Sequence, residues 1–227
     1  MKNTTIILLF LILFSCSNSK QQKETKEVSE IDIVETPEYE SEDKLKIEPY
    51  DYDTILKNGF HLSYRIYKDT IENEVLQSLT LVKGNHDIRV LNETSYPMLH
   101  KNLGYIGVDY GNSFVFVQSF GSGNPNYIQL INKETGEEIK NGTWVDVNEK
   151  EKILLYISDI HEDTEQLKIY DLLKNKETIV KDFKESKCVK EMIGGLRNCV
   201  EIDTVTNNEI VLKIETEDEK IIRKYNR

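Results

Sequence analysis

Residues 60–67 read Phe60-His61-Leu62-Ser63-Tyr64-Arg65-Ile66-Tyr67. Phe60, Leu62, Tyr64 and Ile66 occupy every second position, and His61, Ser63, Arg65 and Tyr67 fall between them. Successive side chains of an extended backbone point to opposite faces, so a period of two marks a strand with one face buried. The rhythm recurs in SFVFVQS from Ser113, YIQLIN from Tyr127, TWVDVN from Thr143, KILLYIS from Lys152, LKIYD from Leu167, VEIDTV from Val200, EIVLKIE from Glu209 and KIIRKY from Lys220. These runs are short and rich in β-branched and aromatic residues, as strands are. Turn formers separate them: Lys83-Gly84-Asn85, Glu134-Thr135-Gly136, Asn141-Gly142, Lys174-Asn175-Lys176 and Asn207-Asn208. Gly and Asn tolerate the positive φ that tight hairpins require. The reading is an all-β domain, an antiparallel meander of short strands folded as a sandwich or a curved open sheet. One helical turn is expected around Lys187 to Met192.

An internal echo adds an alternative. With a constant offset of 39 residues, Tyr105 aligns with Trp144, Phe114-Val115-Phe116-Val117 with Ile153-Leu154-Leu155-Tyr156, and Gly136 with Asn175. Periods near 40 suit propeller blades, so a small propeller-like array is the alternative architecture.

Working outward to the N-terminus, the chain changes character. Nine apolar residues, Ile6 to Phe14, follow Lys2 and stop at Ser15-Cys16. A membrane-crossing helix needs about 20 apolar residues, whereas a secretory signal has a shorter apolar region behind a positive start. Leu13-Phe14-Ser15-Cys16 resembles the lipobox of bacterial lipoproteins. That resemblance implies cleavage after residue 15 and lipidation of Cys16, with acyl chains such as palmitate holding the chain to a bilayer. Several acyl chains on one residue anchor stably where one would not. Ser17 after the cysteine implies, by analogy with lipoprotein sorting, the outer membrane. The absence of acids directly after Cys16 favours its periplasmic side. Residues 1–15 are thus expected as signal peptide.

Residues 16–49 are expected as a disordered acidic tether. Ten acids from Glu24 to Glu48 outweigh five lysines there, and apolar residues are sparse. Such composition cannot bury enough surface to offset the ordering entropy. A flexible chain of that length reaches about 30 Å. Residues 50–227 then form one β-rich domain of ordinary size. The net charge of −11 argues against nucleic acid, whose phosphates require basic surface, and against direct adhesion to anionic headgroups.

Of the three cysteines, Cys188 and Cys199 flank CVKEMIGGLRNC, whose central Gly194-Gly195 lets the chain fold back. The expectation is a disulfide in an oxidising compartment, with two free buried thiols as the alternative. No Cys-x-x-Cys is present, so such a bridge would be a staple.

Catalytic patterns are weak. The histidines at 61, 86, 100 and 161 lack metal-ligand spacing, and no cofactor is implied. The stretch from Asp146 opens like a calcium loop, but Glu151 and Ile157 stand where Gly and Glu are needed. Ser122 lies between Gly121 and Gly123, which is not the spacing of a hydrolase elbow. Asp51 and Asp53 would share a side of an extended chain, one of many chance carboxylate pairs in an acidic protein.

The glycine-rich loop from Ser119 to Asn126 is the candidate binding surface. Ser119, Gly121, Ser122, Gly123, Asn124 and Tyr127 carry it, with Tyr105 and Tyr110 nearby in sequence. Loops on rigid sheets often bind ligands; a plain hairpin connection is the alternative. Asp53-Thr54-Ile55, Asp69-Thr70-Ile71 and Asp203-Thr204-Val205 resemble the Asp-Ser/Thr-apolar acceptor of O-glycosylation in Bacteroidota envelope proteins. That resemblance implies glycans on Thr54, Thr70 and Thr204, facing solvent; otherwise Asp-Thr simply marks strand ends. In layout the chain resembles uncharacterised Bacteroidota lipoproteins. The expected function is a non-catalytic, membrane-anchored module binding a protein, peptide or glycan. The alternatives are an envelope hydrolase acting on sugar or peptide, and an immunity-like lipoprotein that shields the cell from a toxin.

Overall fold

The computed structural model describes residues 53–158 and 165–227. The expected signal peptide and tether, with Cys16 and Asp51, lie outside the described residues. Thirteen strands form three antiparallel sheets among the described residues. The first holds β1 (Phe60–Lys68), β2 (Val75–Lys83) and β3 (His86–Ser95). The central sheet runs in sequence order through β4 (Tyr105–Asp109), β5 (Ser113–Gln118), β6 (Tyr127–Asn132), β7 (Glu138–Asn148), β8 (Ile153–Ser158), β9 (Gln166–Asp171) and β10 (Lys176–Val180). The third holds β11 (Glu201–Val205), β12 (Glu209–Glu215) and β13 (Lys220–Asn226). Three short helices lie in the connections: α1 (His100–Leu103), α2 (Lys187–Glu191) and α3 (Leu196–Cys199). No helix among the described residues is long and apolar enough to cross a membrane.

The all-β meander is therefore what forms. The 39-residue echo is real at the level of elements, since β4-β5-β6 and β7-β8-β9 repeat one three-strand pattern. It does not make blades. β6 and β7 pair directly, Tyr127 opposite Thr143 and Leu130 opposite Lys140, so both repeats belong to one continuous ladder. Another expectation fails locally: Asn141-Gly142 is no hairpin turn but lies within β7. A Cβ on Gly142 would stand 2.2 Å from the Ile157 carbonyl oxygen of β8. The glycine there permits close approach of two backbones, which leaves the same trace in sequence as a turn.

Both faces of the central sheet are buried, and β8 is buried at every residue. On one face, Phe114, Phe116 and Ile131 pack against Phe60, Leu62, Leu79 and Leu81 of the first sheet. Further along the same face, Ile153, Leu155, Ile157, Leu167 and Ile169 pack against Ile210, Leu212 and Ile214 of the third. Each such fully buried side chain contributes about 1.5–3 kcal/mol.

The opposite face carries Val115, Val117, Ile128, Leu130, Leu154 and Tyr156, and there the sheet curls over itself. The Tyr110 hydroxyl, at the β4–β5 turn, donates to the Ile153 carbonyl of β8 at 3.1 Å. In a flat sheet, strands four places apart would be roughly 19 Å distant. A Cβ on Gly107 of β4 would likewise come within 3.0 Å of the Trp144 ring on β7. The cause is local: register shifts at Ile106/Val108, Leu130/Ile131 and Trp144/Asp146 insert bulges. Bulges bend a strand and increase its twist.

Candidate functional site

The curl brings one end of the β4–β5 hairpin to the β7–β8 turn, and the gap between them is a cleft of ≈ 480 Å³. Its lining is Lys57, Asp109, Tyr110, Gly111, Glu149, Lys150 and Lys152. These residues come from three separated stretches of sequence.

Asp109 organises the floor. Its Oδ2 accepts from the Lys57 amide at 2.6 Å and its Oδ1 from the Gly111 amide at 2.7 Å. Lys133 Nζ donates to both oxygens, at 2.6 and 2.8 Å, and to the Lys57 carbonyl at 3.1 Å. All three ammonium protons are thereby used. The Lys133 side chain is 0% exposed, and its Nζ lies 5.7 Å from the centre of the Phe60 ring. Burial pushes the Asp109 carboxyl up, but the bond from Lys133 and the two amides outweigh it, so the carboxyl is held below its ordinary range. This charge pair ties the lead-in to β1, the β4–β5 turn and the end of β6.

The turn Glu149-Lys150-Glu151-Lys152 forms the opposite wall. Its acids are spoken for. Glu149 pairs with Lys57 Nζ at 2.8 Å, and Lys57 Nζ also donates to the Asp109 carbonyl at 2.9 Å. The hydrogen bond it donates to the Glu149 carboxylate holds the Lys57 ammonium above its usual range. Glu151 accepts from Arg227 Nη1 at 2.9 Å. Arg227 further donates from Nε to Asp171 at 2.8 Å, from Nη1 to the Thr206 carbonyl and from Nη2 to the Glu151 carbonyl. One turn of the central sheet is thus clamped to the segments leading into the first sheet and out of the third. The supposed calcium-loop residues are also spent structurally. Asp146 accepts from the amides of Val147 and Ile202, and Asn148 from that of Glu151.

The sequence-chosen loop lies elsewhere. Gly121, Ser122 and Gly123 all take positive φ, at 68°, 54° and 79°, so the chain turns tightly as its composition implies. Its ends are fixed: the Ser119 amide donates to the Lys101 carbonyl at 2.7 Å, and the Asn124 amide to that of Gly121 at 3.0 Å. Ser122 and Asn124 are exposed at the tip, and Tyr127 is exposed at the start of β6. The aromatic trio does not converge. Tyr105 pairs with Val117 at the loop end of the sheet. Tyr110 is buried at the far end of β5, in the cleft; the six residues of β5 span roughly 20 Å.

The structure does join this loop to the other cysteine feature. Cys188 and Cys199 form a disulfide with S–S 2.06 Å. Arg197, between them, donates to the Gly123 carbonyl at 2.6 Å. Helix α2 forms where expected, capped by Ser186, whose Oγ accepts from the Val189 amide. Glu219 reinforces it, accepting from Ser186 Oγ at 2.7 Å and from the Cys188 amide at 3.2 Å.

The three Asp-Thr sequences divide. Asp53 accepts from the Ile55 amide at 2.9 Å and Asp69 from the Ile71 amide at 2.8 Å, so two share one local turn. Ile55 and Ile71 stand 72% and 88% exposed. Thr70 is exposed, whereas Thr54 is half-buried. Thr204 is exposed on β11 and donates to Asp203 at 3.0 Å. Among the described residues, no group of three or more His, Cys, Asp or Glu side chains is arranged to hold a metal.

Sequence reasoning missed the cleft. Its only local signs were Asp109 two residues before Gly111 and the alternating charges at 149–152, and neither announces a partner. No protein-family model matches the chain, and no curated protein or solved structure matches it.

Proposed function

We propose that the chain is a lipid-anchored envelope protein, held by acylated Cys16 at the periplasmic side of the outer membrane. The β-domain acts as a non-catalytic binding module for a protein, peptide or glycan partner. The observation that carries this reading is the disulfide between Cys188 and Cys199. Disulfides persist in oxidising compartments, and the bridge occupies two of the chain's three cysteines. The third stands directly behind the apolar run. The binding role draws support from a rigid frame, three sheets clamped through Arg227 and Asp109, around an open cleft.

The test is acylation of the full chain expressed in a bacterium that processes lipoproteins. Incorporation of an alkyne-tagged palmitate, an intact mass beginning at Cys16, and partition into the detergent phase are expected. All three should vanish in Cys16→Ser. A tag-free, full-length chain in the aqueous phase overturns the anchoring. The same spectrum reads the glycan expectation: hexose-sized additions lost in Thr70→Ala or Thr204→Ala support it, and a bare protein mass removes it.

A further inference from the structure

The geometry points to an oxyanion-binding site in the cleft, with Lys150 and Lys152 as its ligating cations. This rests on the binding-module reading and names the chemistry of its ligand, a phosphate or carboxylate group on a small molecule or a chain end.

The argument is one of charge left over. Lining the cleft are Lys57, Lys150 and Lys152 against Asp109 and Glu149, an excess of one positive charge. The chain as a whole carries −11, so this local excess runs against the background. The two acids cannot serve a cation ligand, because each is already bonded to an ammonium group. Glu151, between the two lysines, faces away and is held by Arg227. Lys150 and Lys152 have no ion-pair partner among the described residues. Both line the cleft. Alternate charges along one turn therefore do two jobs: the acids lock sheets together and the lysines remain for a ligand.

The shape agrees. At ≈ 480 Å³ the cleft falls in the range of small-ligand sites, about 300–1,000 Å³. Lys152 is held at φ 55°, a conformation that side-chain-bearing residues rarely adopt. Gly111 has open space where a Cβ would be. An anion seated between the lysines would gain charge-assisted hydrogen bonds, which are shorter and stronger than neutral ones.

The experiment is a titration of the ¹⁵N-labelled full-length chain in detergent with inorganic phosphate, with glucuronate, and with sodium chloride at matched ionic strength. Saturable amide shifts confined to Gly111 and residues 149–152 are expected with one or both oxyanions, and the arm that saturates names the ligand chemistry. Lys150→Gln/Lys152→Gln should weaken that binding about tenfold or more, as loss of charged hydrogen bonds implies, with an unchanged thermal midpoint. Shifts that track chloride, or that scatter over all lysines, overturn the site, as does unaltered affinity in the double variant. The mapping on the unaltered chain stands whatever the variant's stability. Failure here leaves acylation of Cys16 untouched, and failure of acylation leaves the titration readable.

Discussion

At the scale of single residues, two buried charges decide how tightly the sheets hold together. The Asp109 carboxylate accepts four hydrogen bonds from three donors on three segments, and its partner Lys133 is wholly enclosed. Removing one member of a buried pair leaves an uncompensated charge and costs about 3–5 kcal/mol. Asp109→Asn should therefore lower the urea midpoint at neutral pH. The pH dependence has a definite sign. An unfolded Asp protonates near 3.9, and in the folded chain the group protonates at lower pH. Its stabilisation is complete above about pH 3.9 and drains as pH falls through the folded value. Thermal midpoints followed from pH 7 to pH 2 should drop less steeply at the acid end in Asp109→Asn than in the native chain. Arg227 is the second case. Its side chain and that of Asp171 are each 3% exposed, and its backbone amide also donates to the Asn208 carbonyl. Arg227→Ala should cost about 3 kcal/mol in chemical unfolding. Arg227→Lys should recover only part of that loss, since an ammonium cannot reproduce the fork reaching Asp171 and Glu151 together.

At the scale of elements, the disulfide loop is the part whose behaviour follows most directly from composition. The bridge closes a sequence separation of 11, and the chain-entropy argument gives about 3 kcal/mol for so short a loop. Cys188→Ser/Cys199→Ser should lower stability by about that amount, read by denaturant unfolding. It should also make the segment around Ile193, 84% exposed, the first site of limited proteolysis within the β-domain. Cleavage elsewhere at equal rate would show that Glu219 and Ser186 alone hold the helices. The strand pattern was readable because alternation is a property of each strand by itself. Gly142 shows where local reading stops: a glycine needed for close strand approach and one needed for a turn look alike in sequence. Gly104 belongs to the same class, since a Cβ there would sit 2.0 Å from the Phe116 ring.

At the scale of the whole molecule, the central sheet is the mechanical core, and its middle strands are covered on both faces. Amides of β5 and β8 should exchange last with deuterium. Those of β3 and β13, outermost in their sheets and largely exposed on one side, should exchange first, because local opening follows buried contact. Hydrogen-exchange mass spectrometry with peptides spanning each strand measures this order. Uniform exchange across all three sheets would mean that the clamps at Asp109 and Arg227 make one cooperative unit.

The amino-acid order alone pointed to the strand class, to the hairpin turns at 83–85, 134–136, 174–176 and 207–208, to the helical turn at Lys187, to a Cys188–Cys199 bridge in preference to two free thiols, and to a strand rhythm that repeats at 39 residues. Each depends on the backbone over a few residues, where alternation, positive φ and short loop closure act. Only the tertiary structure decided that the two repeats share one sheet, that the sheet curls, and that Lys57, Asp109 and Lys150 meet. Curvature accumulates from three bulges and is fixed by packing between strands far apart in sequence. No window of residues contains the distances that make the cleft.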